Sequence, residues 1–503
     1  MRILRWSLIF LVLLMFAACG GRQDERAGSG DTGPLRLHPA NPHYFLYRGK
    51  TMVLVSSAEH YGAVINLDFD YRKYLETLAS EGMNYTRIFT GTYFEVPGES
   101  FHIEHNTLAP EKGRVVTPWR TIQGDDGKVR YDLSQWNDAY FRRLKDFLSL
   151  AREKGIIVEI TLFSSVYTDR MWEICPENPA NNINVDTPLV MSEVHILNNG
   201  NLFSYQAALV RKLVNELNGF DNFFFEIQNE PWSDHGVVVD DILNREDLSK
   251  DNWAMQVVFA DTASMAWQDS IAAIIAAEED KLPNRHLIAW NYANYGAPVP
   301  EVNEHISILN FHYAWPRVVR WNEHFGRVIG FDESGFAGSA DRVYRRQAWK
   351  FMLSGGGLFN NLDYSFFVGH EDGTGVNHAP GGGSRELRRQ LRVLRDFLES
   401  FPLERMHPDC DAVAASPGLI PYVLSDGNGV FAVYIKATGT RHSRLVLRTG
   451  AGTYRVTFLN PLTGRYSESR TCTARDGLLS IDVSVPEGET AIRVVPSGSS
   501  SGR

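Results

Sequence analysis

Phe225-Glu226-Ile227-Gln228-Asn229-Glu230-Pro231-Trp232 decides how this chain is read. An apolar run from Phe223 to Ile227 has the makings of a strand, and it leads into Asn-Glu-Pro. Proline has no amide hydrogen to give to a ladder, so the strand must stop there. That leaves the Glu230 carboxylate at the strand's C-terminal end, with the Asn229 amide beside it. Further on, Val328-Ile329-Gly330-Phe331-Asp332-Glu333-Ser334-Gly335 repeats the pattern, a short apolar strand that ends on a glutamate.

Around these two stretches the chain alternates strand and helix from 51 to 401, which predicts a parallel sheet. Strands are expected over 51–57, 83–90, 156–163, 223–228, 286–290, 306–311, 327–332 and 357–362. Helices are expected over 71–80, 202–217, 253–279 and 341–353. One further helix places Phe141, Leu144, Leu148 and Ala151 on one face, and a last one does so with Leu387, Leu391, Leu394 and Leu398. Gly82 and Gly155 sit where helices should end. Eight such units predict a closed (β/α)8 TIM barrel over 35–401. An open doubly wound sheet would carry a Gly-rich phosphate turn after its first strand, and none is there. Two connections, 93–133 and 164–201, are long enough to wall the catalytic face of a barrel, and they carry the aromatics Trp119, Tyr167 and Trp172. Beyond 401 the pattern changes to short alternating strands separated by turns such as Asp426-Gly427-Asn428-Gly429. That predicts a small antiparallel β-sandwich over 402–496.

The composition fits large buried cores: of 503 residues, 44% are hydrophobic and 22% charged. A formal net charge of −10 with no long basic run argues against a nucleic-acid partner. Residues 1–19 read as an export signal, with Arg2 and Arg5 ahead of the apolar run Leu8 to Phe16. It ends Ala17-Ala18-Cys19-Gly20, which resembles the junction at which bacterial lipoproteins are cleaved and lipidated on cysteine. That resemblance implies a lipid anchor on Cys19, a flexible linker over 20–34 and an outer-membrane or cell-surface location. Of the other cysteines, Cys410 and Cys472 could bridge or stay free, and no zinc spacing exists.

Strand C-terminal ends carry the chemistry of a barrel. Two glutamates there meet the needs of retaining glycosidic bond cleavage: one protonates the leaving oxygen, the other attacks the anomeric carbon. Asn229-Glu230-Pro231 after an apolar strand, then His312-Tyr313, then Glu333 ending another strand, resembles clan A of the glycoside hydrolases, with family 5 the nearest pattern. The resemblance implies Glu230 as acid/base, Glu333 as nucleophile and Asn229 as the sugar-binding amide. It also implies that Arg87 keeps the nucleophile ionised and that His312 or Tyr313 faces the site. Where the family floors its site with a tryptophan after the eighth strand, this chain has Leu362-Asp363-Tyr364, which leaves the exact family open.

Glu59 and His60 end the first expected strand and should reach the same face, for substrate contact or for local structure. Trp232, Trp290 and Trp315 follow expected strand ends and would stack on sugars or pack in the core. His370-Glu371-Asp372 and His378 form a loop without metal-ligand spacing. The expectation is a surface-anchored retaining β-glycosidase that acts on an oligo- or polysaccharide and uses neither cofactor nor metal. The alternatives are a non-catalytic glycan-binding lipoprotein on the same scaffold and an inverting hydrolase. Mannan, glucan, xylan and pectic side chains, endo or exo action, and the oligomeric state stay open.

Overall fold

The computed structural model describes residues 33–124, 126–239, 253–254, 256–485 and 487–498. The expected signal, Cys19 and most of the linker lie outside these residues. Among the described residues, no helix is long and apolar enough to cross a membrane.

Eight parallel strands form the barrel: β1 (Leu54–Ala58), β2 (Tyr85–Phe89), β3 (Ile157–Ser164), β4 (Phe223–Asn229), β5 (Ile288–Asn294), β6 (Ile308–His312), β7 (Val328–Glu333) and β8 (Leu358–Leu362). They hydrogen-bond in the ring order β1-β8-β7-β6-β5-β4-β3-β2. At the seam between β1 and β2 the described residues form no ladder, and the Asn84 side chain bridges it. Its Nδ2 donates to Val53 O at 2.8 Å, and its Oδ1 accepts from Val55 N at 3.0 Å.

Helices α1 (Tyr71–Glu81), α2 (Asp138–Glu153), α3 (Leu202–Leu217), α4 (Thr262–Glu279), α5 (Arg317–Asn322), α6 (Asp341–Met352) and α7 (Arg385–Leu398) follow the strands. The α1 helix starts where Asp70 accepts from the amides of Arg72 and Lys73, and it stops at Gly82 with φ 82°. No helix lies between β5 and β6. The expected helix over 253–279 begins only at Thr262, because Val258–Ala260 pairs with the end of β5 and Asp261 caps the helix start. The 93–133 connection is likewise not all loop: Trp119–Gln123 pairs with Val129–Trp136.

The expected first strand divides at Val53. Lys50–Met52 belongs to a three-stranded antiparallel sheet with Arg36–His38 and Asn41–Tyr47. This sheet plugs the barrel floor: Phe45, Tyr47 and Met52 pack against Leu54, Tyr85, Ile157, Phe224, Ile308 and Leu358, which start the strands. Burying side chains of this size contributes about 1.5–3 kcal/mol each.

The C-terminal region consists of a six-stranded and a three-stranded antiparallel sheet around a separate core that includes Val433, Leu445, Val456, Ile481 and Ile492. It joins the barrel through α6, where Trp349 stacks on Tyr434 at 5.2 Å and Arg345 donates to the buried Glu489 at 2.7 Å. Cys175, Cys410 and Cys472 are free thiols, so the candidate Cys410–Cys472 bridge is not formed.

Candidate active site at the strand ends

The C-terminal ends of the strands surround a cavity of 630 Å³ with Glu230 and Glu333 in its wall. Pro231 disfavours helical backbone in the residue before it, yet Glu230 sits at φ 47°, ψ 51°. Eight non-glycine residues have positive φ among the described residues, and Tyr61, Phe101, His102, Glu230 and Tyr313 of these line the cavity. Such conformations cost about 1–3 kcal/mol each and survive where function needs them.

The two glutamates are held by a shared set of donors. His312, the last residue of β6, places Nδ1 2.8 Å from Glu230 Oε1 and 3.6 Å from Glu333 Oε2. Asn291 Nδ2 lies 2.7 Å from His312 Nε2, and Nδ1 faces Glu230. Tyr313 donates its hydroxyl to Glu333 Oε1 at 2.7 Å, and Arg87 Nη1 donates to Glu333 Oε2 at 3.3 Å. Both members of the His312-Tyr313 pair therefore reach the site, one to each glutamate. Asn229 lines the cavity, accepts from Arg87 Nη2 at 2.8 Å and donates to the Tyr167 hydroxyl at 2.7 Å.

Burial pushes the Glu333 carboxyl above its usual range. His312 pulls it down, Glu230 pushes it up, and Arg87 and Tyr313 pull it down further, with a net rise. Burial also lowers the His312 pKa, but Glu333, Asp332 and Glu230 override this and hold it well above the ordinary imidazole value. Arg87 pulls the Glu333 carboxyl toward ionisation, and burial together with Glu230 outweighs that pull.

Arg87 is fully buried, and its main partner is Glu226: Nε donates at 2.9 Å, and Nη2 also bonds it. Beneath the site, Glu159, Glu226 and Asp332 form a buried acidic group around that guanidinium. Burial, Glu226 and Asp332 together raise Glu159 well above the carboxylate range. Asp332 is held below its usual value despite burial, by His312 and Arg87. These residues were not singled out from the sequence. The available signal is a charge in mid-strand: Glu159, Glu226 and Arg87 each interrupt an otherwise apolar strand and must find partners inside the barrel.

Other expected site residues divide. His60 lines the cavity, and Trp232 does too. Glu59 does not: its carboxylate accepts from the amides of Gly62 and Ala63 at 3.0 Å and from the Thr107 hydroxyl, so it shapes the turn after β1. Trp290 is buried in the middle of β5, because that strand runs on to Asn294; Asn291 faces Glu226 inside, which turns Trp290 outward. Trp315 leaves the mouth as well, stacking on Tyr295 at 5.9 Å and facing a separate cleft toward the C-terminal sheets. In the loop after β8, Glu371 accepts from the amides of Gly369 and Asp70 and Asp372 from Thr374, which is turn chemistry. Sequence reading also missed Glu95, Phe101 and Phe336, which line the cavity from connections with no regular pattern.

Among the described residues, two groups of ligand atoms lie close enough to hold a metal ion, Glu230/His312/Glu333 and Glu159/Glu226/Asp332. In the first, the His312 ring and Glu230 already bond each other; in the second, the Arg87 cation already pairs with Glu226 and Asp332.

Fold and site together define a (β/α)8 barrel with a strained, carboxylate-bearing cavity at its strand ends. No family model matches the chain, and no curated protein matches it. Solved structures of similar fold exist. A family 5 glycoside hydrolase from Bacteroides vulgatus ATCC 8482 shares 12% identity, with a TM-score of 0.61 over 94% of this chain and 94% of that one. A structure described as a glycoside hydrolase shares 14%, with a TM-score of 0.58 over 94% of this chain and 98% of that one. At these identities the likeness is one of fold, including the C-terminal sheets.

Proposed function

We propose that this protein is a retaining β-glycoside hydrolase acting on an oligo- or polysaccharide. The observation that carries the reading is the closeness of the two carboxylates: oxygens of Glu230 and Glu333 lie within 4.8 Å of each other and of His312 Nδ1. Retaining cleavage uses carboxyl groups about 5–5.5 Å apart, whereas inverting enzymes leave about 6.5–9.5 Å for a water. The likeness in fold to structures called glycoside hydrolases agrees with this reading.

In the first step Glu333 attacks the anomeric carbon while Glu230 gives its proton to the departing glycosidic oxygen. The C–O bond breaks with its electron pair on that oxygen, and a glycosyl ester of Glu333 forms. Glu230, now a base, takes a proton from water, whose oxygen attacks the same carbon and frees Glu333. Arg87 and Tyr313 stabilise the Glu333 carboxylate whenever it is free. The chemistry needs no cofactor, since two carboxylates and one water balance it. Proton NMR of the first hydrolysis products tests the mechanism: the anomeric configuration of the substrate is retained, and an inverted product overturns it.

The anchor is proposed on the sequence alone. Lipidation at Cys19 would tether the barrel to the outer membrane or cell surface. Mass spectrometry of the mature N-terminus checks it, and a start elsewhere than Cys19 removes the anchor.

A further inference from the structure

Residues from all eight strand ends and their connections wall the cavity above Glu230 and Glu333. A groove for the middle of a polymer must be open on two sides. One side of this mouth is tied shut. The β2–α2 connection and the β8–α7 connection meet across the end of β1. Glu104 N donates to His378 O at 2.9 Å, His105 N to Asn377 Oδ1 at 3.1 Å, and Asn377 Nδ2 back to His105 O at 2.8 Å. The His105 ring stacks on Phe367 at 4.4 Å and 17°. The β8–α7 connection is itself pressed onto the one after β7, since a Cβ at Gly381 would lie 1.7 Å from Gly335 O. From the same β2–α2 connection, Phe101 meets Phe336 across the mouth at 6.2 Å and Tyr167 at 5.3 Å.

On the proposed mechanism Glu230, which rises from β4, faces the leaving group, so the side of the cavity away from it would take the sugar. The strap crosses β1, and β1 stands across the ring from β4 and β5. At this closed end stands Glu95, 2% exposed, which accepts from Tyr93 at 3.1 Å and from Asn106, with His60 Nε2 at 3.4 Å. A terminal sugar has a free hydroxyl to donate to such a carboxylate. In a mid-chain sugar that oxygen is part of a glycosidic bond and has no hydrogen to give.

We propose that the protein is exo-acting and removes a single terminal unit from the non-reducing end of a β-linked chain, with Glu95 as the residue that reads the free terminal hydroxyl. This rests on the glycoside hydrolase reading above. Sites built around a substrate hydroxyl reject analogues that lack it by about 10⁴–10⁵-fold, because buried polar groups are left unpaired.

The test uses β-1,4-linked pentaoses of glucose, mannose and xylose, each unmodified or methylated on its non-reducing 4-hydroxyl, beside the 4-nitrophenyl β-glycosides of the same sugars. Unmodified chains should lose one monosaccharide at a time, and methylation should lower kcat/KM by about 10³-fold or more. Glu95→Ala should shrink the ratio between the unmodified and methylated chains, and an unchanged ratio in the folded variant overturns the role of Glu95. Cleavage of methylated pentaoses at the unmodified rate, or di- and trisaccharides as first products, overturns exo action and leaves the hydrolase reading standing. No hydrolysis of any probe overturns both.

Discussion

At the floor of the barrel the first residues of the strands, among them Tyr85, Phe224 and Leu358, meet Phe45 and Tyr47 in a hydrophobic layer. At the mouth the same strands end on Glu230, His312 and Glu333, with strained backbone at Glu230 and Tyr313. Each end obeys a different rule. The floor gains its stability by burying apolar area. The mouth holds ionisable groups in a buried cavity at some cost to stability, which is where catalytic groups gain tuned protonation. Between them lies the layer of Arg87, Glu159, Glu226 and Asp332, a buried ionic layer that joins the mouth to the strands beneath it.

The largest effects should come from the mouth and spare the fold. Glu333→Gln and Glu230→Gln should each lower kcat by about 10³-fold or more, about 4 kcal/mol in the activation barrier, with far-UV spectra unchanged. Near-normal turnover in either would show that the mouth does not carry the reaction.

Arg87→Met strikes both regions. It strands Glu226 and Asp332 without their cation, and breaking such a buried pair costs about 3–5 kcal/mol. It also removes a group that lowers the Glu333 pKa, so the acid limb of kcat/KM should move to higher pH. Urea titration and pH–rate profiles of the same sample read the two losses. A variant that loses stability but keeps its acid limb would confine Arg87 to the scaffold.

Phe45→Ala should cost about 3–5 kcal/mol in stability and leave the pH–rate profile of the folded protein as it was. A displaced profile would mean that floor and mouth are coupled. A smaller loss is expected from Tyr313→Phe. It deletes one hydrogen bond to a carboxylate, so activity should fall about tenfold, with an acid-limb shift in the direction of Arg87→Met.

The smallest effect is one of stability, and it has the opposite sign from the floor variant. The Glu333 pKa is raised by folding, so its contribution is fully present below the unfolded value near 4.5 and is lost as pH rises through the folded value. Glu333→Gln should therefore raise Tm relative to wild type at pH 7 and not at pH 4. Equal Tm differences at both pH values would show that burial of Glu333 carries no such cost.

Much of the barrel is legible locally. Strands with period two, helices with apolar faces and stop signals such as Gly82 and Pro231 are properties of short stretches, and they place seven of the eight barrel strands within a few residues. The fifth is the exception: Trp290 was read as its end because the antiparallel pairing with Val258–Ala260, which carries the strand on to Asn294, is a long-range event. The first strand is placed within a few residues, but its start belongs to the floor sheet.

The amino-acid sequence alone determined that Glu230 and Glu333 stand at strand ends, because a strand that meets Asn-Glu-Pro or Glu-Ser-Gly has nowhere else to stop. Their company was decided only by closure of the ring. Which residue of a strand faces inward follows from parity, but which residues of distant strands meet follows from the tilt and stagger that bring the strands into one ring. That is why Arg87 pairs first with Glu226 rather than Glu333, why Glu59 is absorbed by its own turn, and why Glu95 and Phe101, carried by an irregular connection, arrive at the cavity.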